Sequence, residues 1–196
     1  MIELIFATNN QNKVIEVQSL MDKNILLKSL HEAGIDIDIP EPHQTLEENA
    51  VEKSTTIHRL FGKNCFSEDT GLEVDVLNGE PGVRSARYAG DEANNENNIK
   101  KLLQNLEGNT NRNARFRTVI SLIIDNEYYL FEGICEGVIT NEIKGNNGFG
   151  YDAVFIPNGG VKTFGEMNLE EKNKYSHRKK ATFKLIAFLN NYHGKN

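Results

Sequence analysis

A chain of 196 residues has room for one substantial core, or at most two lobes sharing one. At 38% hydrophobic and 26% charged it reads as an ordinary soluble globular protein, and no apolar run approaches membrane-spanning length. The net charge of −6 argues against a general nucleic-acid or anionic-membrane binder, since both need a positive field; an anionic ligand must be met by a local cluster of cations.

Ile2 to Ala7 is a compact apolar run with no basic region before it, so it reads as a first strand rather than a signal peptide, with the cytoplasm as default location. Val14, Val17, Leu20 and Met21 then recur at helical spacing. Between strand and helix lies the polar loop Thr8, Asn9, Asn10, Gln11, Asn12, ending in Lys13. Backbone N–H groups at such a helix start, with a lysine beside them, make a phosphate cradle, although most joints of this kind bind nothing and no Gly-rich fingerprint is present. Ile25 to Leu30 reads as a second strand, and Ile35 to Pro40 alternates as an edge segment does. Thr45 and Glu48 have capping-box spacing before a helix whose stripe is Leu46, Ala50, Ile57, Leu60 and Phe61. Just ahead, Glu41 lies in a Pro-bounded loop where folding needs no carboxylate.

Cys65 to Gly90 is the densest stretch. An apolar start leads to Glu68 and Asp69 side by side, then Thr70 and Gly71, as where a strand ends at a functional turn. Adjacent carboxylates repel unless a cation or a proton lies between them, and Mg²⁺ suits such oxygen-only ligands. The alternative is a solvated acidic turn; Gly79, Pro81, Gly82, Arg84 and Arg87 close behind weigh against it. Cys65 and Cys135 sit in strand-like apolar surroundings and read as buried thiols.

Asn94 to Leu106 is an amphipathic helix, and 107–113 a loop. Phe116 to Asp125 and Tyr128 to Val138 form a hairpin joined at Asn126-Glu127, long enough to extend as a second lobe. Gly145, Gly148 and Gly150 around Phe149 describe a backbone free to approach a ligand with a ring to stack, or else a bulged turn with that ring in the core. Ser176 caps a last helix with Ala181, Leu185, Phe188, Leu189 and Tyr192 on its stripe. His177 and Arg178 fall in its first turn, where the helix dipole disfavours cations, and with Lys172 nearby they point to an anionic or hydrogen-bonding ligand. Alternating strands and helices followed by a hairpin give an α/β class with a mixed sheet.

Taken in order, FATNNQNK, SEDTGLEVDVLNGEPGVRSARYAG, GFGYDAVF and YSHRKKA resemble the inosine triphosphate pyrophosphatase family over nearly the whole chain. That resemblance implies one pyrophosphatase domain over 1–196, an elongated two-lobed fold with a central mixed sheet flanked by helices, a nucleotide cleft between the lobes, and a homodimer. It implies hydrolysis of dITP, ITP and XTP, with Mg²⁺ as cofactor. Thr8 to Lys13 would bind the triphosphate and Thr70 would touch the substrate. Asp69 would be the general base, and Glu41, Glu68 and Asp69 the metal ligands. Phe149, Gly150, Tyr151 and Asp152 would stack the base, while Lys172, His177 and Arg178 would hold purine and phosphates. Asn9 stands where many relatives have glycine, and E-D-T where they have D-D-S. A nucleotide-binding regulatory module without turnover, or a pyrophosphatase of different base specificity, are the competing readings.

Overall fold

A computed structural model describes residues 2–192. The first half runs β1 (Ile2–Phe6), α1 (Gln11–Gln18), β2 (Ile25–Ser29), α2 (Leu46–Phe61), β3 (Cys65–Val74) and β4 (Pro81–Gly82). The second half runs α3 (Asn95–Asn105), β5 (Asn113–Ile124), β6 (Glu127–Ile139), β7 (Phe155–Pro157), α4 (Leu169–Lys172) and α5 (His177–Asn190). The strands form one sheet in the order β2-β1-β3-β5-β6-β7, with β4 pairing β3. It is mixed, as the sequence predicts: β1 is parallel to β2 and β3, while β4 on β3 and β7 on β6 are antiparallel. No described helix is long and apolar enough to cross a membrane.

The described residues divide into two compact units. The first comprises 2–69, 118–133 and 178–192. Its core joins Leu4, Phe6, Phe66, Ile120, Leu122 and Leu185, with the Phe6 and Phe66 rings stacked at 4.4 Å. Behind them Ile5, Ile57, Cys65 and Ile123 pack together, and burial pushes the Cys65 thiol up to about 12. The second unit comprises 70–117 and 134–177, around Leu72, Leu102, Leu106, Phe116, Phe155 and Phe164. Both cysteines are buried free thiols.

Local signals place most boundaries. Thr45 caps α2 by accepting from the Glu48 N–H, Asn94 caps α3 through Asn97, and Gly62 ends α2 in the left-handed region at φ 61°. Four expectations shift. β3 does not end at Glu68-Asp69-Thr70-Gly71 but runs on to Val74, because Leu72 and Glu73 pair with Gly82 and Pro81. Gly71 permits that pairing: a Cβ there would lie 2.6 Å from the Gly82 carbonyl oxygen. The hairpin turns at Asp125-Asn126, both at positive φ, so Glu127 already belongs to β6. Residues 35–40 form no strand; Ile35 is buried and Ile37 and Ile39 pack inward, so the alternation reports an extended strap without a ladder. Leu60 and Phe61 are 56% and 41% exposed, and the buried face of α2 is instead Leu46, Asn49, Ala50, Lys53, Ser54 and Ile57.

Candidate active site

In the first unit, β1 and β3 run parallel in the register Ile5↔Cys65 and Phe6↔Phe66. The Ala7 N–H donates to the Phe66 carbonyl at 2.7 Å, after which β1 gives way to its loop while β3 continues through Ser67, Glu68 and Asp69. The loop from Thr8 and the carboxylates of β3 thus meet beyond the carboxyl end of a parallel pair, where open α/β sheets bind ligands. Asn10 caps α1, its Oδ1 accepting from the N–H groups of Asn12 at 3.0 Å and Lys13 at 3.3 Å. Two amides expected for phosphate are therefore engaged by the chain's own side chain. Thr8 Oγ1 accepts from the Asn10 N–H, and Asn9 Nδ2 donates to the Ile37 carbonyl at 2.9 Å. Asn9 to Asn12 are exposed, and Lys13 reaches back to Glu68 at 3.2 Å.

Neighbours on a strand point to opposite faces, so Glu68 and Asp69 do not face one another. Each has one main cation, and Lys13 bears on both. Glu68, 1% exposed, accepts from Arg178 Nε at 2.9 and 3.0 Å, and Arg178 Nη2 lies 2.9 Å from its Oε1. The same guanidinium gives Nη1 to Glu16 on α1. Burial works to raise the Glu68 carboxyl, but Arg178 and then Lys13 outweigh it and hold Glu68 down at about 2. Asp69 instead meets Lys53, whose Nζ donates at 3.0 Å to Asp69 and at 2.5 Å to Glu41. Burial dominates at Asp69 and leaves its carboxyl above the ordinary range despite Lys53 and Lys13. Burial would depress the Lys53 ammonium, yet Asp69 and Glu41 hold it above the usual lysine value.

In the second unit, Gly145, Gly148 and Gly150 all have positive φ. A Cβ on Gly148 would lie 2.0 Å from Asp152 Oδ2, so only glycine lets that carboxylate turn back. Asp152 Oδ2 accepts from the Phe149 N–H at 2.9 Å and from Lys172 Nζ at 2.6 Å, and both charged side chains are buried. Lys172 Nζ stands 5.3 Å from the Phe149 ring centroid and 5.4 Å from that of Phe164. Half-buried Phe149 tips this turn rather than filling the core, while buried Tyr151 donates to the Ser85 carbonyl at 2.8 Å. His177 stacks on Phe116, centroids 4.7 Å apart and planes 14° off. Thr70, on β3, is half-buried and opens this unit.

The predicted residues therefore fall into two groups. Lys13, Glu41, Glu68, Asp69 and Arg178 come together in the first unit; Phe149, Gly150, Tyr151, Asp152, Lys172 and His177 lie in the second. Arg178, expected at the base, has its guanidinium on carboxylates. Glu68 meets Arg178 and Asp69 meets Lys53, with Lys13 bearing on both, and among the described residues no three His, Cys, Asp or Glu side chains group as a metal shell. Sequence reading passed over Lys53 and Glu16. Lys53 was the visible one, a cation at the inward spacing of Leu46, Ala50 and Ile57. Glu16 shares a helix face with Lys13 three residues earlier, but nothing local names its partner.

The profile of the Ham1 family matches residues 4–188. A dITP/XTP pyrophosphatase of Flavobacterium psychrophilum is 50% identical over 190 residues, covering 97% of this chain and 100% of that protein. One from Bacillus licheniformis is 47% identical, covering 96% and 98%. Among solved structures, the Staphylococcus aureus Ham1 protein superposes with a TM-score of 0.87 at 40% identity, covering 96% of this chain and 98% of that one. A HAM1 protein from Coxiella burnetii gives 0.89 at 35% identity, covering 98% and 100%.

Proposed function

This chain belongs to the Ham1 family, and from that premise we propose how it hydrolyses non-standard purine nucleoside triphosphates of the dITP and XTP class, releasing monophosphate and pyrophosphate. One observation carries the reading. Two adjacent carboxylates on β3, both buried, one on Arg178, the other on Lys53 and both near Lys13, stand beside a polar loop at the carboxyl end of β1. A solvated acidic turn requires none of this, and neither does a module that only binds.

Water attack on the α-phosphorus needs a proton acceptor, neutralised phosphate oxygens and a stabilised leaving group. Asp69 is the acceptor in this reading: its raised pKa brings it closer to working pH than an ordinary aspartate, which is what general-base transfer favours. The water oxygen bonds to the α-phosphorus as its proton passes to Asp69, and the bond to the bridging oxygen breaks, carrying its electron pair to pyrophosphate. Lys13 neutralises that leaving group, with Thr8 to Asn12 and Thr70 contacting the rest of the substrate. Glu41 and Asp69 already converge on one cation, the Lys53 ammonium, so these hard oxygen donors fit a divalent ion. Glu41 and Asp69 would hold Mg²⁺, which would supply further charge neutralisation to the triphosphate, while Glu68, on the opposite face of β3, anchors Arg178 and Lys13. Arg178 acts through Glu68 and Glu16, holding Glu68 ionised and both carboxylates in place.

The second unit takes the base. Phe149 stacks on any purine, with Gly150 and Tyr151 shaping the turn and His177 beside them. Hypoxanthine and xanthine carry an acceptor oxygen at C6, where adenine carries a donor. Lys172, a buried donor oriented by Asp152, favours the first two, and a mispaired buried polar group costs roughly 10⁴ in specificity in favourable cases. The homodimer and the cytoplasmic location rest on the resemblance alone. The deciding experiment is pyrophosphate release with Mg²⁺ from dITP and XTP against ATP, dTTP and UTP. Turnover confined to the first two with monophosphate as co-product supports the reading; a nucleoside diphosphate and free phosphate would overturn it.

A further inference from the structure

Residues 31–45 form neither helix nor strand, yet they deliver Glu41 to Lys53. A segment without a ladder keeps its place through side chains, and here two asparagines hold it. Asn49, 1% exposed on the inner face of α2, commits both ends of its amide to one residue. Its Oδ1 accepts from the His43 N–H at 2.9 Å and its Nδ2 donates to the His43 carbonyl at 3.2 Å. That is the exchange a neighbouring strand would offer, supplied by one side chain. From the other side Asn9 Nδ2 holds the Ile37 carbonyl. Glu41 lies between the two attachments, and Lys53 follows Asn49 by one helical turn.

We infer that Asn49 is a positioning residue for Glu41, fixing the strap so that this carboxylate meets Lys53 alongside Asp69. The inference rests on reading that cluster as the hydrolytic centre. The Glu41 side chain is 25% exposed, against 8% for both Lys53 and Asp69, so it is the member that leaves when the strap loosens. Asp69 stays, because β3 holds it. Loss of Asn49 therefore strikes one carboxylate and spares the rest.

The test measures pyrophosphate release from dITP across a Mg²⁺ series for wild type, Asn49→Ala, Glu41→Gln and the double variant. Amide hydrogen exchange over 41–45 is followed in the metal-free proteins. Asn49→Ala is expected to lower kcat about 10- to 100-fold, as misplacement of a reacting constellation does. KM for dITP should stay within about twofold while the Mg²⁺ needed for half-maximal rate rises. Exchange over 41–45 should quicken while that of β3 does not, and Asn49→Ala should add nothing to Glu41→Gln. A multiplicative loss in the double variant, or an unchanged kcat in Asn49→Ala, overturns the inference. If Asn49→Ala does not fold, Asn49→Asp, which keeps the acceptor for the His43 N–H, carries the same cycle. Failure of wild type to release pyrophosphate removes the functional reading and the inference together; a normal wild type with an insensitive Asn49 variant removes the inference alone.

Discussion

The two units hold their buried charges by opposite means. The first gathers four carboxylates, Glu16, Glu41, Glu68 and Asp69, around three cations, Lys13, Lys53 and Arg178. Lys53 and Arg178 each bridge two carboxylates, so a substitution at either unbalances more than one. The second holds the buried pair Asp152 and Lys172 on a glycine turn beside aromatic rings. A shared network is suited to receiving an incoming charge, because partners can be exchanged without leaving an ion bare. A pair seated on a constrained turn is suited to holding one donor in one direction. Damage to the first unit should therefore appear in turnover and stability, and damage to the second in affinity.

Asp69→Asn gives the sharpest version of that contrast. It removes the proton acceptor and one of two anions on Lys53, so kcat for dITP should fall by about 10³-fold or more with KM little changed, read by single-turnover pyrophosphate release. Near-normal kcat would break the assignment. Arg178→Ala comes next, leaving two buried carboxylates without their guanidinium at a cost of about 3–5 kcal/mol in thermal or urea unfolding. Titration sharpens it. Because Glu68 titrates at about 2 in the folded protein, below its unfolded value, its share of the stability is complete above the unfolded pKa and is lost as pH falls toward about 2. Asp69 has the reverse sign: its raised pKa favours folding more as pH falls. Melting curves of Glu68→Gln should thus be flatter than those of wild type across that acid window, and equal slopes would remove Glu68 as the source. The smallest effect belongs to the second unit. Gly148→Ala meets Asp152 Oδ2 and a φ of +72°, costing about 1–2 kcal/mol, and by displacing Asp152 from Lys172 it should raise KM several-fold for dITP and XTP, and less for ATP, while leaving kcat near wild type. A drop in kcat with KM unchanged would contradict the division between the units.

What could be seen in the sequence follows the range of the interaction. Thr45 and Glu48 are three residues apart, and the helix start they mark is real. The Ile35–Ile39 alternation reports which side chains face inward, but whether an extended segment has a ladder depends on a neighbour it does not encode. The end of β3 was hidden for the same reason, since its last residues are held by Pro81 and Gly82. Charges follow the pattern. Glu68 and Asp69 stood out as a chemical oddity, while the separate cations that make the pair tolerable lie 110 residues on at Arg178 and 16 back at Lys53.

The position of Arg178 also matters while the chain is being made. Its two carboxylate partners precede it by 162 and 110 residues, so at ordinary elongation rates of about 5–20 residues per second Glu16 and Glu68 leave the ribosome many seconds before their counter-charge. Until then Lys13, 3.2 Å away, is the cation at hand for Glu68. A nascent chain halted before residue 178 would have to bury Glu16 and Glu68 without the guanidinium that bridges them or leave α1 and the middle of β3 open to solvent. The first unit, whose strands are the earliest to be synthesised, is thus among the last parts of the molecule that can close.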